Sequence, residues 1–416
     1  MGQLAINGGT PAAARLRVPT WPYLTEEDRR AVMAALESGQ WGRLYPESRT
    51  EAFERAFAAF HQARHGIAVC NGTAALELAL MAGGIRPGDE VLVPAVTFIA
   101  SASAITRVGA TPIFVDSDPE TLAISVPDAE ARITPRTRGI VAVHYGGYPV
   151  DLDALLPMAR RHDLLLVEDC AHAQGSEWRG RKVGAFGHFG AFSFQQSKAL
   201  AAGEGGVVLT DDDGLAEEAR LYHNIGRRVG RPGYEHLVLA SNYRLSELSA
   251  ALLHSQLQRL PQQVEQRMAA HRTLVEGLQA IGGIRPLKND PRITRRGFYF
   301  VVLRYDQSQF GEVPLLRFIE ALKAEGVPCS SGYGMPLYRQ PAFERRYVAR
   351  LLGRPVAEVP DYPNLNLPVA ERFCAQEQIT IPHPVLLAGQ EGMQAVLEAV
   401  ARIKAHVDEL RATSST

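Results

Sequence analysis

Between residues 66 and 210 the chain alternates short apolar runs with helical stretches, and this rhythm restricts the fold more than any other feature. "GIAVC" (66–70), "EVLVP" (90–94), "PIFVD" (112–116), "GIVAVHY" (139–145), "LLLVED" (164–169), "FGAFSF" (189–194) and "GGVVLT" (205–210) read as strands. Helical patterns fall at 73–83, 98–109 and 151–162. Strands joined through helices need crossover connections, so the expected architecture is α/β with a largely parallel sheet covered on both faces.

The chain has 416 residues, more than one unit usually needs, which points to two domains. After residue 210 the pattern changes. A long helical segment covers 245–281 with Pro261 as its break, followed by a strand at 297–306 and helices at 314–326 and 390–410. The expected division is a large domain over 1–261, with an N-terminal arm at 1–20, and a smaller α+β domain over 262–416. With 21% charged residues and a formal net charge of −1 the chain has no basic excess for nucleic acid. No stretch reaches the roughly 18 apolar residues of a membrane span. Four scattered cysteines without a CxxC pair suit a reducing cytoplasm better than a disulfide scaffold or a zinc site.

In open parallel sheets ligands bind beyond the carboxyl ends of the strands, and unusual residues fall there in this chain. In "CNGTAALEL" a strand ends at Cys70, a turn at Asn71-Gly72 follows, and a helix opens near Thr73. The exposed N–H groups of that first turn form an anion site, although Thr73 could equally be a plain helix cap. "VEDCAHAQG" sets Glu168 and Asp169 at the end of a strand that otherwise reads as buried, a costly place for a carboxylate unless it meets a cation. His144, Glu168, Asp169 and His172 could converge on a metal, but none of the histidines stands at metal-ligand spacing. In "FSFQQSKALAAGEGG" (192–206), Lys198 follows a strand end carrying Ser193 and Gln195 and precedes Gly203, Gly205 and Gly206. Pyridoxal 5′-phosphate (PLP) needs an anion cradle, a carboxylate for its ring nitrogen and a lysine for its aldehyde. On this reading the glycines let the backbone turn beside a bulky cofactor.

These segments, with "VPAVTFIASASAI" (93–105), "SNYRLSELSAALLHSQL" (241–257) and "ITIPHPVLLAG" (379–389), resemble the DegT/StrS-type PLP-dependent aminotransferases of keto-sugars and cyclitols. "AHAQG", "FSFQQSK" and "HPVLLAG" look most like the branch of aminohydroxybenzoate synthases and scyllo-inosose aminotransferases. The resemblance implies PLP fold type I, with a mixed, mostly parallel seven-stranded sheet and a smaller C-terminal domain, and a homodimer with shared active sites. It implies Lys198 as the lysine joined to the cofactor, Asp169 on the pyridine nitrogen and Phe98 stacked on the ring. It implies Gly72, Thr73, Ala74 and Ser193 at the phosphate, with Gln195 nearby, and Asn242 reaching the neighbouring subunit's phosphate. His172 would face the ring or its 3′-oxygen, and Tyr338 and His383 the substrate. The implied reaction moves an amino group from L-glutamine or L-glutamate to a keto-sugar or keto-cyclitol. A lyase on deoxysugars, a sensor on the same fold and a metal-dependent hydrolase are the alternatives. The basic loop of Arg227, Arg228 and Arg231 is either a nucleotide contact or a solvated surface.

Overall fold

All seven strands expected between 66 and 210 form, and they lie in one sheet. The computed structural model describes residues 3–43, 47–228 and 234–411. Its strands in chain order are β1 His65–Val69, β2 Glu90–Pro94, β3 Thr111–Val115, β4 Thr137–Val143, β5 Leu165–Asp169, β6 Glu177–Trp178, β7 Arg181–Lys182, β8 Phe189–Ser193, β9 Gly206–Thr210, β10 Ile284–Pro286, β11 Ile293–Arg295, β12 Phe300–Tyr305 and β13 Gln378–Pro382. The large sheet has the order β1-β9-β8-β5-β4-β2-β3. Only β9 runs against the rest, pairing antiparallel with β1 and β8. The fold is therefore α/β with a mixed, mostly parallel sheet.

Side chains alternate between the two faces of this sheet, as strand geometry requires. Ile67, Val93, Val141, Val167 and Val208 enter one core with the helix Gly72–Ala82. Ala68, Leu92, Ala142, Leu166 and Leu209 enter the other, against the helices Arg49–Phe60 and Glu247–Leu257. With both faces buried, the strands read as continuous apolar runs rather than alternating ones.

A second sheet, β10-β12-β13, is antiparallel and packs on the helices Leu260–Ile281, Leu315–Ala324 and Gly389–Ala405. The two units are stitched together more than a cut near residue 262 implies. The helix Leu260–Ile281 is continuous through that point, with Pro261 in its first turn, where a missing N–H costs nothing; the break falls at Gln258–Arg259 instead. The N-terminal arm packs on the smaller unit: Leu4 and Ala13 enter its core, and the amides of Ala5 and Ala12 donate to the Glu325 carboxylate. Tyr338, Phe343, Tyr362 and Phe373 turn back the other way and pack with Phe114 in the large-sheet core. There the Tyr362 hydroxyl donates to the Pro112 carbonyl and the amides of Val369 and Ala370 donate to Asp116. Among the described residues no helix is long and apolar enough to cross a membrane.

Candidate active site

The carboxyl ends of β1, β5 and β8 open on a cavity of about 780 Å³. Gly72, Thr73, Ala74, Phe98, Asp169, His172, Ser193, Gln195, Lys198 and Asn242 all line it, so the structure brings every expected cofactor-contacting residue to one place. The β5 to β8 register sets Asp169 beside Ala191, two residues before Ser193. Asn242, expected to serve a neighbouring subunit's cofactor, borders the cavity of its own chain.

At the end of β1 the helix cap is Asn71, not Thr73: its Oδ1 accepts from the Ala74 amide at 2.8 Å. Ala74 is thus already partnered, while the amides of Gly72 and Thr73 open the first turn at the positive end of the helix. That is an anion site. Phe98 lies at the same cavity with half its surface (51%) exposed, a ring with no aromatic neighbour nearer than Tyr333 at 5.9 Å.

The two carboxylates that end β5 point to opposite faces and have different tasks. Glu168 is fully buried. It accepts from His144 Nε2 at 3.0 Å and from the amides of Gly184, Phe186 and Gly187 at 2.7–2.9 Å. His144 Nδ1 accepts from the Val150 amide, so Nε2 is the nitrogen that donates to Glu168. These bonds hold Glu168 below its usual pKa despite burial, which pushes the other way. His144, Glu168 and Cys170 offer ligand atoms within 4.8 Å of one another, but the lone pairs of the first two are spent on these bonds. Asp169 faces the cavity. Its Oδ2 accepts from the Ser101 hydroxyl at 2.7 Å and its Oδ1 from the Ala171 amide at 3.1 Å. Burial raises its pKa, with those bonds and Lys198 pulling down.

Lys198 is buried, and desolvation lowers its amine to about 8, with Asp169 opposing. Its Nζ sits 3.8 Å from the centre of the Tyr299 ring, and the His172 imidazole stacks on that ring at 4.3 Å. His172 Nδ1 accepts from the Gly146 amide, and burial, reinforced by Lys198, drives its pKa well down, so the imidazole is neutral. Two of the glycines after Lys198 are required by the backbone itself. Gly203 takes a left-handed φ of +81°, and a Cβ on Gly206 would sit 2.5 Å from the Asn71 carbonyl oxygen. The protein's own backbone demands them.

A second cavity, about 940 Å³, shares Gln195, Ser197, Tyr299 and Tyr333 with the first and opens outward along Gln196, Ser330 and Thr380. A hydrogen bond of 2.9 Å between Ser197 Oγ and the Tyr299 hydroxyl lies where the two meet. His383 lines this outer cleft but is 99% covered (1% exposed), its Nε2 bonded to the Ser197 carbonyl at 3.1 Å. Tyr338, expected at the substrate, lines neither cavity: it is buried against Phe114 with its hydroxyl on Glu371. Tyr333 holds the place at the cleft instead, its hydroxyl 3.4 Å from His172 Nε2. Of the basic loop, Arg228 pairs with Glu217 at 3.0 Å, Arg227 lines neither cavity, and Arg231 lies outside the described residues. Ser101, Tyr299, Tyr333 and Trp21 are site residues that sequence reasoning missed. Tyr299 stands 102 positions from its partner Ser197, and no local pattern links them.

An anion site at a helix N-terminus, an exposed ring, a buried carboxylate and a buried lysine around one cavity fit the phosphate, ring and aldehyde of PLP. Comparison with known proteins agrees. The profile of the DegT/DnrJ/EryC1/StrS aminotransferase family matches residues 22–386. An L-glutamine:2-deoxy-scyllo-inosose aminotransferase of Streptoalloteichus tenebrarius is 39% identical, covering 98% of this chain and 99% of that one. The crystal structure of 3-amino-5-hydroxybenzoic acid synthase is similar with a TM-score of 0.82 and 35% identity, over 94% of this chain and 99% of that one. DesI, crystallised in the presence of its TDP-sugar product, gives a TM-score of 0.83 at 29% identity, over 99% of both chains. This chain belongs to the DegT/DnrJ/EryC1/StrS aminotransferase family and is a PLP-dependent aminotransferase of fold type I.

Proposed function

We propose that the chain aminates an uncharged keto-cyclitol, with L-glutamine as donor. The observation that carries this is the chemistry of the outer cleft. Gln195, Gln196, Ser197, Ser330, Tyr333 and Thr380 offer neutral donors and acceptors suited to ring hydroxyls, and among the described residues Lys323 is the one lysine or arginine along its walls. A sugar nucleotide carries a diphosphate, which is normally met by several cationic or backbone N–H donors. The inosose aminotransferase named above acts on an acceptor of the neutral kind.

PLP, when bound, supplies an aldehyde that accepts the amino group and a ring that withdraws electrons from the reacting carbon. The amides of Gly72 and Thr73 and the Ser193 hydroxyl would hold its phosphate, with Ala74 and Gln195 beside them, and Phe98 would cover the ring. Asp169, oriented by Ser101 and Ala171, keeps the ring nitrogen protonated. Lys198 would hold the aldehyde, and its amine, lowered by burial to about 8, is matched to moving a proton at the reacting carbon. Neutral His172 packs beside the ring without adding charge.

The working form is a homodimer in the cytoplasm. Trp41 (54% exposed), Leu237 (47%) and Leu239 (100%) leave apolar surface open. Backbone hydrogen bonds tie Trp41 to Glu247 and Leu237 to Gly226, and residues 224–225 pair in turn with 241–242, at the cavity rim. A partner subunit would cover that surface. The four cysteines are free thiols, which suits a reducing compartment. The test is to convert the loaded enzyme to its amino form and offer 2-deoxy-scyllo-inosose or a TDP-linked keto-sugar. Return of the yellow form with the inosose alone supports the reading, and return with the TDP-sugar alone refutes it.

A further inference from the structure

We propose that Trp21 and His383 brace the main chain at Lys198 and act as positioning residues for its amine. The inference rests on Lys198 being the reactive lysine. The loop from β8 to β9 that carries Lys198 includes the left-handed Gly203 and is tied internally by the amides of Gln196 and Lys198, which donate to Gly203 and Gln195. Two successive carbonyls of this loop are held from outside. His383 Nε2 donates to the Ser197 carbonyl at 3.1 Å, and Trp21 Nε1 donates to the Lys198 carbonyl at 3.0 Å. The two rings meet edge-on, 4.6 Å apart at 88°, so each limits the tilt of the other. The donors stand 186 and 177 positions away in sequence, one beyond β13 and the other in the N-terminal segment.

Two further observations favour positioning over substrate contact. His383 is 1% exposed, and with Nε2 donating, its Nδ1 is a bare, buried acceptor without a partner. Burial, with Arg267 and Lys198 nearby, lowers its pKa well below the usual value, so the ring is neutral. Behind Trp21 lies Arg267, fully buried, its guanidinium carbon 5.5 Å from the indole centre. None of its side-chain nitrogens has a hydrogen-bond partner among the described residues. The indole face is the stabilising contact left to this cation, which fixes the ring in turn.

The experiment uses Trp21→Phe, His383→Phe and His383→Gln in the full-length protein. His383→Gln keeps an N–H at similar reach. Coenzyme-free protein is mixed with PLP, the lysine adduct is fixed with borohydride at set times, and its fraction at Lys198 is read by peptide mass. In parallel, kcat and KM are measured for donor and acceptor, with the urea unfolding midpoint. The brace predicts that both phenylalanine variants slow capture at Lys198 and lower kcat by about 10- to 100-fold, as displacement of a reacting group by up to about 1 Å would. It predicts KM and unfolding midpoints close to the parent, and recovery of most of the rate in His383→Gln. A higher acceptor KM with unchanged capture would mean that these residues line the substrate site and would overturn the proposal. So would a rate loss that follows the unfolding midpoint, or that His383→Gln fails to restore. If the parent protein itself captures no PLP at Lys198, the assignment of the reactive lysine fails, and the brace with it.

Discussion

Replacing Lys198 by methionine should make the coenzyme-free chain more stable while abolishing transamination. Burial lowers the amine from 10.5 to about 8. Each pKa unit corresponds to about 1.4 kcal/mol, so holding the charged amine in this site costs roughly 3 kcal/mol. Methionine keeps a stem of similar length in the same apolar surroundings. Against the gain stands the contact of the ammonium with the Tyr299 face, which offsets about 1–2 kcal/mol; the attraction of Asp169 is already contained in the value of about 8. The net stabilisation at pH 7 is about 1–2 kcal/mol. Its pH dependence has a definite sign. Between about 8 and 10.5 the unfolded lysine binds more protons than the folded one, so the parent gains stability as pH rises through that window. The penalty is present in full below it and absent above it. Urea unfolding of both proteins at fixed chain concentration, at pH 7 and pH 10.5, reads the effect directly. A methionine variant less stable than the parent at pH 7, or a difference that does not shrink at high pH, would refute the reasoning.

Asp169→Asn tests charge separately from shape. An amide can still accept from the Ala171 amide and donate to the Ser101 hydroxyl, so the unfolding midpoint should move by no more than about 1 kcal/mol. The loss of a charge-assisted bond worth about 1.5–3 kcal/mol should slow the half-reaction with glutamine at least ~10-fold; equal rates in single-turnover measurements would contradict the assigned role. Glu168→Gln should do the reverse, because either orientation of the amide points its NH2 at two N–H donors. A loss of about 3–5 kcal/mol is expected, and a variant with the parent's urea midpoint would show that the buried network is not what holds residues 184–187.

What the sequence made legible was local. Each strand of the large sheet was a continuous apolar run because both its faces are buried, and that signal survives in five residues. Lys198, Asp169 and the turn at Asn71-Gly72 were legible because strand ends in such a sheet share one edge. Contacts between distant segments left no trace. Tyr338 sits in "MPLYRQPAF", a plausible substrate loop, yet residues 337–374 fold back on Phe114 and bury its ring. Tyr299 was hidden because a tyrosine opening a strand looks the same whether it packs or faces a lysine. Of the glycines after Lys198, the crowding at Gly206 comes from Asn71, a contact between distant segments that no local pattern reveals. Likewise Thr73 is a cap by residue type, but the helix opens at Gly72, so the residue in the cap position is Asn71 and its Oδ1 meets the Ala74 amide.

The brace at Lys198 also bears on the order in which a nascent chain becomes competent. Translation delivers the large sheet first, and β1 can find β9 as soon as residue 210 is free of the ribosome. The lysine loop is then present but unsupported on one side, since the ring that holds the Ser197 carbonyl follows β13 and emerges nearly two hundred residues later. Until then Lys198 is an amine in an unfinished pocket. Chains cut just before residue 383, which keep residues 337–374 packed on the large sheet, should therefore hold a folded sheet yet react poorly with vitamin B6 aldehydes, a built-in delay between folding and reactivity.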